Sequence, residues 1–378
     1  MADGRPYTVC REPALEERIG EDLGRIRAVV EESVGSSLVA LLLGGGFGRG
    51  EGGGIRDESG RWAPYNDYDL VAVVRDVPRW RLGRVREELT ALAGRLEKSL
   101  GIEVELSPLR SDDLRSLPFT MMWCELFAAH RLIAEGDGAV AALRRVPPMP
   151  PADLPLIEGT RYLTNRAALL LWARSEAMAP GRVWKFVHKA WLAAGAGVLV
   201  GRGAFVVGYG ARQRALEELQ AREGPLVPGG PTAERLVERH REAAAARLVA
   251  TEPPAEDELA RRVEEAREAV LEVWRWLEER RTGRSFASWA AYASAPGLFA
   301  ERLPALPSAV ARQLLLMRER AFVPPYSLRE HPRTRVTRVL PGLLAGDPPD
   351  AATRRLLGGG EGWADATARC LSLWRRAN

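Results

Sequence analysis

Residues 38–74 read LVALLLGGGFGRGEGGGIRDESGRWAPYNDYDLVAVV, and the reading of this stretch decides the fold. Residues 38–43 and 70–74 are short apolar runs rich in Leu and Val, which predicts two buried strands that are neighbours in one sheet. The first run ends in Gly44-Gly45-Gly46, a turn where the backbone passes close to something without Cβ atoms in the way. The second is preceded by Asp67-Tyr68-Asp69. Alternate residues of a strand share a face, so Asp67 and Asp69 point the same way while Tyr68 points opposite. Two carboxylates that close repel and raise each other's pKa unless a cation lies between them. Hard oxygen ligands in such a pair suit Mg²⁺ carrying substrate phosphates.

Two other glycine motifs fail on physical grounds. A P-loop ends in Lys followed by Ser or Thr, which reach the phosphates and Mg²⁺, whereas here Gly50 is followed by Glu51. A dinucleotide fingerprint can be laid over Gly48, Gly50 and Gly53, but its ribose-binding acid closes the next strand, and Asp67 and Asp69 precede theirs. The joint pattern, Gly45-Gly46-Phe47-Gly48-Arg49-Gly50-Glu51 followed by Asn66-Asp67-Tyr68-Asp69-Leu70, resembles the signature of the DNA polymerase β-like nucleotidyltransferase superfamily. The resemblance covers roughly residues 20–140. It implies that Gly45, Gly46 and Arg49 serve the nucleotide and that Asp67 and Asp69 hold divalent cations, Mg²⁺ or Mn²⁺. One departure is the 22 positions between Gly45 and Asp67, longer than the usual gap, with the excess in residues 52–64. That segment, rich in Gly and Pro with little to bury apart from Trp62, predicts a mobile lid.

The flanking sequence completes an α/β (α+β) core with a short mixed sheet. Residues 13–34 carry Leu15, Ile19, Leu23, Ile26 and Val30 at helical spacing, and residues 79–100 carry Leu82, Val85, Leu89, Leu92, Leu96 and Leu100. Ile102-Glu103-Val104-Glu105-Leu106 alternates apolar and acidic residues, which predicts a strand with one wet or functional face. The resemblance implies a third carboxylate on this strand, usually an Asp, and here Glu103 and Glu105 are the candidates. Glu105 matches better, because Val104-Glu105-Leu106-Ser107-Pro108-Leu109 more closely resembles the family's apolar, acid, apolar sequence. Residues 126–137 then predict a helix ending in a strand or turn, with His130 an ordinary amphipathic-helix residue.

The whole chain has 378 residues, long enough for two domains with substantial cores. Residues 144–158 are the expected linker, since Pro147, Pro148, Pro150 and Pro151 oppose regular structure. That divides the chain into a nucleotidyltransferase domain at 1–143 and a helical domain at 159–378. Helices are expected at 161–178, 182–200, 211–223, 232–251, 256–282, 309–322 and 351–373. Lys185 and Lys189, two of only three lysines, stand i, i+4 on one helix face, where they are candidates to meet phosphates. Arg182 and His188 match the loose Arg-x(4–6)-His pattern of HEPN ribonucleases, though the residue after Arg182 is Val where a polar one is usual.

A net charge of +4, with Arg interleaved with Glu along the chain, describes solvated helix faces rather than a nucleic-acid surface. Three scattered cysteines form neither a disulfide framework nor a metal motif, which suits a reducing compartment. No signal-peptide pattern stands at the N-terminus, and the longest uncharged apolar stretch, residues 190–200, is too short for a bilayer. A cytoplasmic protein is expected, with no membrane partner. The sequence therefore predicts a two-metal nucleotidyltransferase that uses an NTP and an acceptor it does not name, be it small molecule, RNA or protein. The alternatives are a non-catalytic nucleotide-binding or antitoxin-like protein and a fused HEPN-type ribonuclease.

Overall fold

Leu15, Ile19, Leu23, Ile26 and Val30 form the buried stripe of α1 (Pro13–Val34), which starts on a proline and stops at Gly35. The computed structural model describes residues 4–56, 59–228, 232–299 and 332–377. The chain divides into two units, and the first comprises Met1–Pro155, Gly203–Ala215 and Ala244–Thr251. After α1 come β1 (Leu38–Leu43), α2 (Gly45–Arg49), β2 (Gly53–Arg56), β3 (Trp62–Tyr65) and β4 (Asp67–Val74). Then follow α3 (Leu82–Leu100), β5 (Glu103–Arg110), α4 (Met121–Ala129), β6 (Arg131–Glu135) and α5 (Ala139–Leu143). The four-stranded sheet has the order β5-β4-β1-β6, with β4 and β5 parallel and both β1 pairings antiparallel. It is thus a short mixed sheet, and β1, buried at all six positions, is one of its two central strands.

Alternation along the strands separates two apolar layers. Leu41, Leu43, Tyr68, Leu70, Val104 and Leu106 pack against the stripes of α1 and α3. Val39, Ala40, Leu42, Val73 and Leu109 face the other way, under Leu126 of α4 and Ala139 and Ala142 of α5. On this second face the starts of β4 and β5 carry Asp67, Asp69, Glu103 and Glu105.

Three expectations need correction here. The described part of residues 52–64 does not read as a free lid: β2 and β3 pair antiparallel, Gly53 opposite Tyr65 and Arg56 opposite Trp62, and residues 57–58 lie outside the described residues. Trp62 packs on the α1 layer, and a Cβ on Gly54 would meet Leu15 at 2.7 Å, so the glycines serve close packing. The first unit also runs past residue 143 to Pro155. Ala142 and Leu154 are buried, Cys124 Sγ donates to the Met149 carbonyl at 3.4 Å, and a 3-10 turn at Pro151–Asp153 sits within the expected linker. Finally, it takes in two segments from the later, helical part of the sequence.

The second unit comprises Leu156–Arg202, Leu216–Ala243 and Glu252–Asn378 and is helical wherever it has regular structure among the described residues. Its helices are α6 (Leu156–Ser175), α7 (Pro180–Gly201), most of α8 (Tyr209–Glu223) and α9 (Thr232–Leu248), α10 (Glu256–Thr282) and α11 (Trp289–Ser294). They continue with α12 (Pro332–Ala345), α13 (Ala351–Leu357) and α14 (Trp363–Ala377). The expected 351–373 helix is two helices, broken at Gly358, Gly359 and Gly360, all with positive φ. The helix expected at 309–322 lies outside the described residues. No helix among the described residues is long and apolar enough to cross a membrane.

Candidate functional site

β4 and β5 run in register, Asp67 opposite Glu103 and Asp69 opposite Glu105. Period-2 alternation puts all four carboxylates on one face, while Tyr68 and Val104 are buried on the other. The carboxyl of Asp69 is pushed up to about 7, first by burial and then by the negative charges of Asp67 and Glu105, against the opposing pull of Arg49 and Arg247. Asp67, Asp69 and Glu105 thus act on one another electrostatically, with Glu103 beside Asp67 at the outer end of the strand. On the opposite face the Tyr68 hydroxyl donates to Asp22 Oδ2 at 3.1 Å, and its ring lies 4.9 Å from that of Phe47. These contacts fix which way β4 faces.

The glycine turn is fitted around Asp69. Gly44 N–H donates to the Asp69 carbonyl at 2.8 Å, and Gly45 has a φ of +58°. A Cβ on Gly45 would collide with Asp69 Oδ2, and one on Gly46 would come within 3.0 Å of the Glu51 carbonyl. Any side chain at Gly45 would therefore displace the carboxylate.

Two segments far along the chain finish this part of the first unit. Glu51 accepts the N–H groups of Tyr209 at 2.9 Å and Gly210 at 3.2 Å. Arg49 is held between Glu51 and Glu125, both at 3.4 Å, and Glu125 also pairs with the buried Arg212. Three guanidinium groups surround the Tyr209 ring: Arg49 at 5.4 Å, Arg212 at 6.0 Å and Arg247 at 6.0 Å. Arg247 donates to Asn66 Oδ1 and stands 3.9 Å from Asp67 Oδ1. Arg49, expected at the nucleotide, is thus engaged by two glutamates while it also acts on Asp69, and Arg247 is the guanidinium beside Asp67. Sequence reasoning missed Arg247, Tyr209, Arg212 and Glu125. The only signal was Asn66, a scarce residue type next to the acidic pair.

The donors at Asp67 and Asp69 fit a divalent cation that shares its coordination with substrate. Among the described residues no group of three or more His, Cys, Asp or Glu side chains could hold a metal ion by itself. Mg²⁺ is commonly bound through one or two carboxylates with substrate phosphates and water supplying the rest. The repulsion that raises the Asp69 carboxyl is what such a cation would relieve.

Lys185 and Lys189 lie on α7 in the second unit, half-buried. On the same helix His188 is buried, its ring 4.1 Å from that of Trp184, and burial pushes its pKa down to about 4. Arg182 lies over Trp172 at 4.4 Å. A neutral, buried imidazole is poorly placed to act on RNA, which removes the support for the Arg-x(4–6)-His reading. No protein-family model and no curated protein matches the chain. Among solved structures, the chain is similar to the spectinomycin adenyltransferase AAD(9) from Enterococcus faecialis, crystallised with ATP and spectinomycin. The likeness has a TM-score of 0.39 and 11% sequence identity, over 66% of this chain and 98% of that one.

Proposed function

We propose that the chain is a metal-dependent nucleotidyltransferase, moving a nucleoside monophosphate from an NTP to a hydroxyl or phosphate acceptor. The observation that carries this reading is the surroundings of Asp69: a carboxylate beside Asp67, in register with Glu105, and sheltered by a turn that only glycine fits. In the reaction the acceptor oxygen attacks the α-phosphorus in line, the bond to the β-phosphate breaks, and pyrophosphate leaves. Asp67 and Asp69 would hold Mg²⁺ or Mn²⁺, which when bound lowers the acceptor's pKa and offsets the phosphate charge. Glu105, one strand across from Asp69, would take the acceptor's proton. The Gly44–Gly46 turn, lacking side chains, lets Asp69 sit directly against the backbone.

The test is incubation with each labelled NTP, Mg²⁺ or Mn²⁺, and separate fractions of small molecules, tRNA and protein. The expected result is pyrophosphate release with label on one fraction, absent from the Asp67→Asn, Asp69→Asn double variant. Metal and NTP together should also raise the melting temperature more than either alone, since binding stabilises the folded state by mass action. One observation favours a binding-only protein: Glu stands where the family's third acid is usually Asp. On that reading the thermal shift appears with no pyrophosphate released by any fraction.

A further inference from the structure

We propose that Arg247 is a substrate-responsive counter-ion, neutralising Asp67 in the ligand-free protein and passing to the phosphates of a metal-bound triphosphate when one arrives. This rests on the nucleotidyltransferase reading and assigns to it a phosphate-binding residue that the sequence pattern does not contain. The backbone around Arg247 is fixed. Gly54 and Val249 form a β-bridge, Ala250 N–H reaches the Gly54 carbonyl at 3.4 Å, and the Arg247 carbonyl accepts from Asn66 Nδ2 at 3.5 Å. The partners of the side chain include a neutral amide oxygen, an ion pair at the long limit of 3.9 Å and the Tyr209 ring at 6.0 Å, and the side chain is 15% exposed.

The other guanidinium that acts on Asp69 is held differently. Arg49 is locked between Glu51 and Glu125, and its side chain is only 7% exposed. A divalent cation on Asp67 and a guanidinium on the same carboxylate repel each other, so the two compete for that oxygen. A triphosphate arriving with the cation offers several negative oxygens in the geometry that suits the planar Arg fork. The Tyr209 ring face can keep the guanidinium near the aspartates after Asp67 is given up.

Competition followed by transfer predicts two affinity changes of opposite sign, and neither needs turnover. In Arg247→Gln, Mn²⁺ alone, counted by electron paramagnetic resonance, should bind roughly 3- to 10-fold tighter, because its competitor at Asp67 is gone. Inorganic tripolyphosphate with Mn²⁺, followed by calorimetry, should bind about 10- to 100-fold more weakly, because a charged phosphate contact is lost. Arg247→Lys keeps the charge without the fork, so Mn²⁺ alone should bind within about twofold of wild type and tripolyphosphate several-fold more weakly. The Lys variant decides the matter if the Gln variant does not fold. Both ligands weaker in Arg247→Gln would mean that Arg247 merely props the site, and both unchanged would mean that it takes no part; either result overturns the proposal. Those results leave the nucleotidyltransferase reading intact. Wild-type protein that binds neither Mn²⁺ nor its tripolyphosphate complex would instead remove that reading, and this inference with it.

Discussion

On the proposed function, a proton and a metal ion would compete for the same oxygens of Asp69. With its carboxyl pushed up to about 7, the site must lose a proton before a cation can bind, so the apparent Mn²⁺ affinity should fall about tenfold for each pH unit below 7. Titrations at pH 8, 7 and 6 check this, and a flat profile would contradict the crowding of Asp69 by Asp67 and Glu105. Gly45 gives a second test. An Ala there must adopt a φ of +58° and push its Cβ into Asp69 Oδ2, costing about 1–2 kcal/mol in backbone strain alone. Gly45→Ala should lose Mn²⁺-dependent nucleotide binding while its melting curve shifts by only a few degrees, because the damage falls on one carboxylate and leaves both apolar layers intact. The third test concerns the paired glutamates. If Glu105 handles the acceptor's proton, Glu105→Gln should lower turnover by about 10²-fold or more and leave NTP affinity nearly unchanged, whereas Glu103→Gln, beside Asp67, should do far less. Turnover and nucleotide affinity measured on the same preparations separate the two.

At the scale of elements, the parts that were legible in the sequence are those governed by local periodicity. The stripes of α1 and α3 and the apolar runs of β1 and β4 need only neighbouring residues to be recognised, and alternation in β4 was enough to put Tyr68 opposite Asp67 and Asp69. The register that pairs Asp69 with Glu105 was not legible, because it is set by how α3 carries the chain from β4 into a parallel β5. The β2–β3 pair was misread for a related reason. Its glycines look like loop composition until Leu15, Trp62 and the Val249 segment are seen packed against them. A buried titratable residue such as His188 on α7 is equally silent in sequence, yet it makes a quantitative demand. Its folded pKa of about 4 lies below the unfolded value near 6.5, so the unfolded chain takes up the proton first and stability falls as pH drops through that window. The loss should reach about 2 kcal/mol by pH 5. Urea unfolding at pH 7.5 and pH 5 should show it, and His188→Gln should flatten the difference; an equal loss in the variant would place the pH sensitivity elsewhere.

At the scale of the whole molecule, the sequence reads as one domain followed by another, but the first unit is not contiguous. Residues 1–155 contain the whole sheet, both aspartates and Glu105, so a fragment ending at Pro155 looks self-sufficient by sequence. It would lack Gly203–Ala215 and Ala244–Thr251, and with them Tyr209, Arg212 and Arg247. Glu125 would lose Arg212, Glu51 would lose the two N–H groups at Tyr209 and Gly210, and Gly54 would lose its bridge to Val249. The fragment thus forfeits several hydrogen bonds to charged groups, each worth about 1.5–3 kcal/mol, out of the roughly 5–15 kcal/mol that holds a typical domain together. The 1–155 fragment should therefore aggregate or unfold without a cooperative transition, while the full chain melts cooperatively under the same conditions. A fragment that melts cooperatively and binds Mn²⁺ with wild-type affinity would show that the two returning segments are dispensable, and that the acidic site needs nothing beyond the sheet that carries it.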